Sequence, residues 1–227
     1  MDEFVKVFDE VIKLISVLVW PSATVFLLLW LGPSLVNFLS TLAELSLKVA
    51  GVDVSMKKAQ AATFIGMAEA SKQNQTPEEN VSSANTAINI VSEAVTPRIL
   101  RRAQRTSVLW VDDNPDNNVY ERKSLEALGI SFDLSLSTED ALDKLKRRSY
   151  DAIISDMGRP PDPKAGYTLL DRLRKAGDQT PFIIYAGSRS PEHRAEARRR
   201  GAIGCTNRAN ELFEMVLSAL GRGPAMA

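Results

Sequence analysis

From Ser107 onward, short apolar segments alternate with longer segments that carry one apolar helical face. Five apolar segments, SVLWV, SFDLSLS, DAIIS, PFIIYAG and IGCT, each precede such an amphipathic segment. Parallel strands require crossover connections, which are usually helices, so this alternation predicts an α/β fold. We expect residues 107–222 to form a doubly wound, five-stranded parallel sheet with helices on both faces.

Carboxylates follow two of the predicted strands. Asp112 and Asp113 come directly after the first strand, and Asp156 follows the third. Ligands of doubly wound sheets bind beyond the carboxyl ends of the strands, and clustered like charges are costly unless a cation lies between them. The pattern therefore favours a Mg²⁺ site, beside which an aspartate can be a nucleophile toward a phosphoryl group. The Asp112–Asp113 pair alone is also compatible with simple helix capping.

With these carboxylates and the stretch GAIGCTNRANEL, residues 107–221 resemble the receiver domain of two-component response regulators. The resemblance implies a flavodoxin-like fold and a bacterial signalling role. It implies that Asp156 accepts a phosphoryl group from a histidine kinase. It also implies that Mg²⁺ is bound by Asp112, Asp113, Asp156 and the backbone carbonyl of Gly158.

The sequence departs from the family pattern at several positions. Ala186 stands where the family has a serine or threonine hydroxyl, and Ser188 is a possible substitute two residues on. Arg208 replaces the family's lysine, Ala209 the following proline, and Cys205 the aromatic switch residue. The stretch DMGRPPDPKAGYTLL is also about two residues longer than the loop that usually follows the acceptor. These departures imply that the relay from phosphorylation to surface change is altered.

Alternatives remain open for the C-terminal domain. Arg208 could neutralise Asp156 or Asp113 and leave a structural domain without chemistry. Another alternative is a sensor-effector that works without phosphate: its receiver-like domain binds a ligand or a partner, and its transmembrane helices assemble in the membrane. Another alternative is a Mg²⁺-dependent phosphatase similar to the haloacid dehalogenase type. That family has the pattern D-x-D after its first strand, whereas this chain has Asp-Asp-Asn. We expect no enzymatic activity beyond self-phosphorylation of Asp156 from a phosphodonor.

No charged residue lies between Lys13 and Glu44. About 20 apolar residues suffice to cross a bilayer as a helix, so residues 1–43 are predicted to contain a transmembrane helix at about 14–39. A buried core helix and a signal peptide are the alternatives. The small basic excess after the span, together with the single thiol of Cys205, predicts an inner-membrane protein with a cytoplasmic C-terminal domain.

Residues 44–106 are predicted to form a helical juxtamembrane stalk, with Thr76 and Pro77 starting one helix. That helix either packs against another copy, giving a homo-oligomer, or lies on the C-terminal domain. Four arginines in RILRRAQR either meet anionic lipid headgroups or form a solvated helix end.

Lys+Arg and Asp+Glu both count 28, so the net charge is zero. This balance argues against nucleic acid as a partner. After residue 222 we expect only a tail over 223–227 and no DNA-binding output domain. The expected partners are a histidine kinase or another signalling protein, the membrane and a second copy of the chain.

Overall fold

The computed structural model of the protein describes residues 53–71, 77–187 and 190–221. The chain divides into two compact units, residues 1–53 and 54–227. The span predicted at 14–39 and the tail at 223–227 lie outside the described residues. Within the described part of the chain, every helix is too short or too polar to cross a bilayer.

Five parallel strands form the sheet in the order β2-β1-β3-β4-β5, which confirms the predicted fold. Their bounds are β1 Ser107–Val111, β2 Ser131–Ser135, β3 Ala152–Ser155, β4 Phe182–Tyr185 and β5 Gly204–Thr206. The predicted second strand was two residues too long because Ser137 starts the next helix, its Oγ accepting a hydrogen bond from Asp140 N at 3.1 Å.

The helices of the described residues alternate with these strands from β1 onward. They are α1 at residues 53–71, α2 Pro77–Ala94, α3 Pro97–Ala103, α4 Val119–Glu126, α5 Thr138–Arg147, α6 Ala165–Lys175, α7 Pro191–Arg199 and α8 Ala209–Gly221, with a 3-10 turn at Pro115–Asn118. Thr96 and Ser190 also cap helices through their side-chain oxygens.

The central strand β1 supplies side chains to both faces of the sheet because successive residues of a strand point in opposite directions. Val108 and Trp110 belong to the apolar cluster that includes residues of α4 and α8. Leu109 and Val111 belong to the other cluster, with residues of α5, α6 and α7. All four side chains are buried, and each contributes roughly 1.5–3 kcal/mol by removal from water. The sheet is therefore covered on both faces.

Helices α1 to α3 add a further layer outside α8. Ile65 of α1, Val91 of α2 and Leu100 of α3 are buried in the same apolar cluster as Trp110. Polar contacts accompany this packing, because Asn210 N at the start of α8 donates to Glu69 Oε1 at 3.2 Å. The described part of residues 53–106 thus packs on the C-terminal domain.

Candidate functional site

The strand register brings the predicted carboxylates together. Val111 of β1 pairs with Ser155 of β3, so the residues that follow them, Asp112 and Asp156, leave the sheet at the same edge. One carboxylate oxygen from each of Asp112, Asp113 and Asp156 lies within 4.8 Å of the other two. Asp112 is buried, Asp113 is exposed and Asp156 is intermediate. This cluster, at the carboxyl ends of β1 and β3, is the centre of the candidate site.

Three donors hold the Asp112 carboxylate. Asn118 Nδ2 donates to its Oδ2 at 2.6 Å, and Trp110 Nε1 approaches the same oxygen at 3.4 Å. The backbone N–H of Asn114 donates to Oδ1 at 2.8 Å. Hydrogen bonds of this kind fix the orientation of a carboxylate. Asp112 is therefore a preorganised member of the cluster.

Asp156 is paired with a buried arginine, Arg159, whose side chain is only 3% exposed. Arg159 Nη1 donates to Asp156 Oδ1 and, at 2.8 Å, to Ser155 Oγ. Its Nη2 donates to Thr138 Oγ1 at 3.0 Å. The guanidinium is thus held by β3 and by the first turn of α5 as well as by the carboxylate.

Burial raises the pKa of Asp156 to about 7, although the charge and hydrogen bond of Arg159 oppose that rise. The neighbouring carboxylates of Asp112 and Asp113 raise the pKa of Asp156 further. Asp156 is therefore costly to ionise in the absence of a further cation. A divalent ion placed among the three carboxylates would offset that cost.

A cavity of about 550 Å³ opens above the cluster. The three carboxylates line it, together with Gly158, which was expected at the metal site, and Ala186, which was expected to replace the family's hydroxyl. Ser188, the possible substitute hydroxyl, lies outside the described residues. The cavity is large enough for a phosphoryl group with its ligands and coordinated water.

Arg208 is not among the residues that line this cavity; Asn207 is, and its Nδ2 donates to Gly187 O at 3.2 Å. The Arg208 backbone N–H bonds Thr206 Oγ1 at 3.1 Å, while its buried Nε has no hydrogen-bond partner. Among the residues that the structure describes, the arginine paired with Asp156 is Arg159.

Cys205, at the family's aromatic switch position, is 1% exposed and packs in the apolar cluster of α5 to α7. Burial raises the pKa of its thiol, which disfavours the reactive thiolate. The aromatic residue that lines the cavity is Tyr185, whose hydroxyl donates a hydrogen bond to Oε1 of the buried Glu121 at 2.8 Å. This tethered ring at the end of β4 was not foreseen from the sequence.

Gly166, the second residue of α6, allows the chain to approach Asp156 closely. A Cβ at this position would lie 2.4 Å from the carbonyl oxygen of Asp156. Its backbone N–H also donates to Met157 O at 2.9 Å. The start of α6 is thereby seated against the loop that carries Asp156.

Comparison with known proteins gives a family for this domain. Residues 108–216 match the family model of the response regulator receiver domain. The gliding motility regulatory protein of Myxococcus xanthus is 33% identical over 102 residues, which are 44% of this chain and 13% of that protein. The sensor protein EvgS of Escherichia coli K12 is 28% identical over 90 residues, 40% of this chain and 7% of EvgS. The chain thus matches a small part of each of these curated relatives.

Among solved structures, a two-component response regulator from Clostridium difficile is similar, with 24% identity and a TM-score of 0.47. The similarity covers 53% of this chain and 99% of that one.

Proposed function

Residues 108–216 are a response regulator receiver domain, and we propose that this domain accepts a phosphoryl group on Asp156. Receiver domains serve two-component signalling, in which they exchange signals with histidine kinases and other signalling proteins. One observation carries the proposal: Asp112, Asp113 and Asp156 each place an oxygen within 4.8 Å of the others at the edge of an open cavity. A cluster that costs free energy when it is empty is well suited to a ligand that neutralises it.

The residues at this edge fit Mg²⁺. The donors are hard carboxylate oxygens, which Mg²⁺ prefers, and it commonly keeps water and phosphate oxygens as its remaining ligands. Asp112, Asp113, Asp156 and the carbonyl of Gly158 would hold it. When bound, the ion would neutralise negative charge on the phosphoryl oxygens.

The hydrogen bonds of Asp156 indicate which of its oxygens reacts. Oδ1 is occupied by Arg159, so Oδ2 would form the bond to phosphorus. The P–N bond of a phosphohistidine, or the P–O bond of a small phosphodonor, breaks as that bond forms, and a leaving imidazole takes a proton from solvent. Arg159 keeps its contacts with Ser155 and Thr138 throughout and orients the acceptor.

The output of the site would differ from that of a typical receiver. Ala186 offers no hydroxyl to a phosphoryl oxygen, and Cys205 is too small and too enclosed to swing between two pockets. Asn207 supplies a side-chain amide at the same cavity. We propose that a partner reads the phosphoryl charge at the cavity itself.

For the whole chain we propose a single-pass inner-membrane protein, with the span at about 14–39 and the receiver domain in the cytoplasm. The uncharged stretch between Lys13 and Glu44 supports this proposal. A histidine kinase is the proposed phosphodonor, and a second copy of the chain is a further proposed partner.

A second candidate function is a docking platform that needs no phosphate. The buried Arg159–Asp156 pair favours it, because the arginine already neutralises part of the acidic cluster. In that case the cavity would take a ligand or a partner's side chains, and Asp156 would have a structural role.

Intact mass spectrometry of the full chain after incubation with Mg²⁺ and acetyl phosphate tests the leading proposal. We expect a phosphoryl adduct on the wild type and on the exposed control Asp143→Asn, but not on Asp156→Asn. An adduct that persists in Asp156→Asn would place the acceptor elsewhere. No adduct on any chain would favour the docking platform.

A further inference from the structure

A second cavity, of about 610 Å³, lies at the opposite end of the sheet from the acidic cluster. Helix α3 leads directly into β1, and Asp151 precedes β3, so this cavity lies at the amino ends of the central strands. Its lining is dominated by arginines: Arg98, Arg101, Arg102 and Arg105. The phosphoacceptor proposal makes no use of this cavity.

The four arginines are spaced i, i+3, i+4 and i+7, which places them on one side of α3 and the turn that follows it. The other side of α3 is anchored in the core by Leu100 and Ala103. Like charges at this spacing repel one another. The fold therefore holds several positive charges together on a firmly packed element.

The four arginines outnumber the acidic residues that line the cavity. Among the residues that the structure describes, none of the four arginines forms an ion pair. Asp151 also lines the cavity, but its carboxylate accepts the backbone N–H of Ser107 at 2.9 Å. The carboxyl end of a helix favours a cation or two in its last turn, whereas four arginines line this cavity. The unneutralised charge points to an anionic ligand.

Phosphate is the anion that best matches this lining. The planar guanidinium group offers paired N–H donors whose spacing fits two phosphate oxygens. The cavity volume lies within the usual range for small-ligand sites, and four arginines exceed what one phosphate requires. We propose that this arginine cavity binds a ligand with two or more phosphate groups, either a phospholipid headgroup or a free oligophosphate.

The test uses the full chain in detergent micelles. Isothermal titration calorimetry with pyrophosphate and with tripolyphosphate measures the free ligand. Native mass spectrometry with added cardiolipin or phosphatidylcholine measures the headgroup. The variant is Arg101→Gln/Arg105→Gln, and the matched control is Lys175→Gln/Arg198→Gln, which removes two exposed charges from α6 and α7.

We expect the wild type and the control to bind at least one probe that carries two or more phosphate groups. The affinity of the Arg101→Gln/Arg105→Gln variant for that probe should be lower by about tenfold or more. Binding of tripolyphosphate alone would identify a free ligand as the source, and selective retention of cardiolipin would identify a headgroup. Equal binding by variant and wild type, or no binding of any probe, would overturn the proposal. Tighter binding of duplex DNA than of any phosphate probe would replace it with a nucleic-acid site.

Discussion

Arg159 and Asp156, three residues apart in the loop after β3, form an ion pair in which the arginine is 3% exposed and the aspartate side chain 17%. Asp156 lines the acidic cavity, whereas Arg159 does not. The Asp156 carboxylate is therefore held at Oδ1 by a buried guanidinium, at the wall of the cavity. The sequence pattern did not predict this fixed cation beside Asp156.

Replacing Arg159 with methionine should destabilise the fold by about 2–4 kcal/mol, because a partly buried carboxylate loses its partner. Urea denaturation measures the change. Combining Arg159→Met with Asp156→Asn should recover part of the loss, since the unpaired charge is then gone. Arg199→Gln, which breaks an exposed pair with Glu196, should have little effect. Strictly additive losses in the double variant would show that the pair is not coupled.

Mg²⁺ should raise the melting temperature of the full chain, because a cation that binds only the folded state stabilises it. The gain would be about 2.7 kcal/mol at a concentration of about 100 times Kd. Asp113→Ala should abolish the rise while leaving the metal-free melting temperature nearly unchanged, since Asp113 is exposed. Asp143→Ala, on α5, is the matched control. If both variants respond to Mg²⁺ like the wild type, the ion binds elsewhere.

Without a divalent ion, stability should fall as the pH rises from about 4 to about 7. The pKa of Asp156 is about 7 in the folded protein, against 3.8 for an ordinary aspartate. Over that window the unfolded chain binds fewer protons than the folded one, so raising the pH favours unfolding, by at most about 4 kcal/mol.

Chemical denaturation at a series of pH values in EDTA measures this slope. Asp156→Asn should flatten it, and the control Asp143→Asn should not. A slope that survives in Asp156→Asn would assign the pH dependence to another group.

Gly166→Ala should destabilise the protein by about 2 kcal/mol or more, because the added Cβ would lie 2.4 Å from the Asp156 carbonyl oxygen. Helix propensity alone predicts the opposite sign, since alanine is favoured over glycine inside a helix. Gly221→Ala, whose Cβ would meet no atom within 4 Å, is the control. Thermal melting of both variants decides between the two effects.

The proposed membrane anchor predicts that the full chain stays in the membrane pellet after carbonate extraction. A chain with residues 14–39 deleted should move to the supernatant. Release of the full chain under the same conditions would argue for peripheral attachment instead.

The strands and the three carboxylates could be predicted because both follow from local pattern. Apolar runs mark β1 and β3, and parallel pairing then brings the residues that follow them to one edge of the sheet. That logic places Asp112 and Asp156 together without any knowledge of loops.

The same logic could not identify Arg159. Its place in a loop that follows a strand says nothing about whether its side chain turns inward, and its partners Ser155 and Thr138 come from two different elements. Nor could it identify Asn207 as a residue that lines the cavity. At the end of β5 the family correspondence gives a position in the chain, but the local backbone directs Asn207 toward the cavity instead.

The packing of α1 to α3 could not be predicted from the sequence either. An amphipathic pattern indicates that a helix has an apolar face, but it does not indicate which element covers that face. Ile65 and Val91 could have met another chain as readily as the cluster around Trp110.

The acidic cluster and the arginine cavity lie at opposite ends of the same strands, in a chain whose charges sum to zero. Such a separation gives the domain an electric dipole along its strands. The electric field of a negatively charged surface would exert a torque on this dipole. That torque would turn the arginine end toward the surface and the carboxylate end toward open solvent. The acceptor would then face diffusing partners before any specific contact had formed.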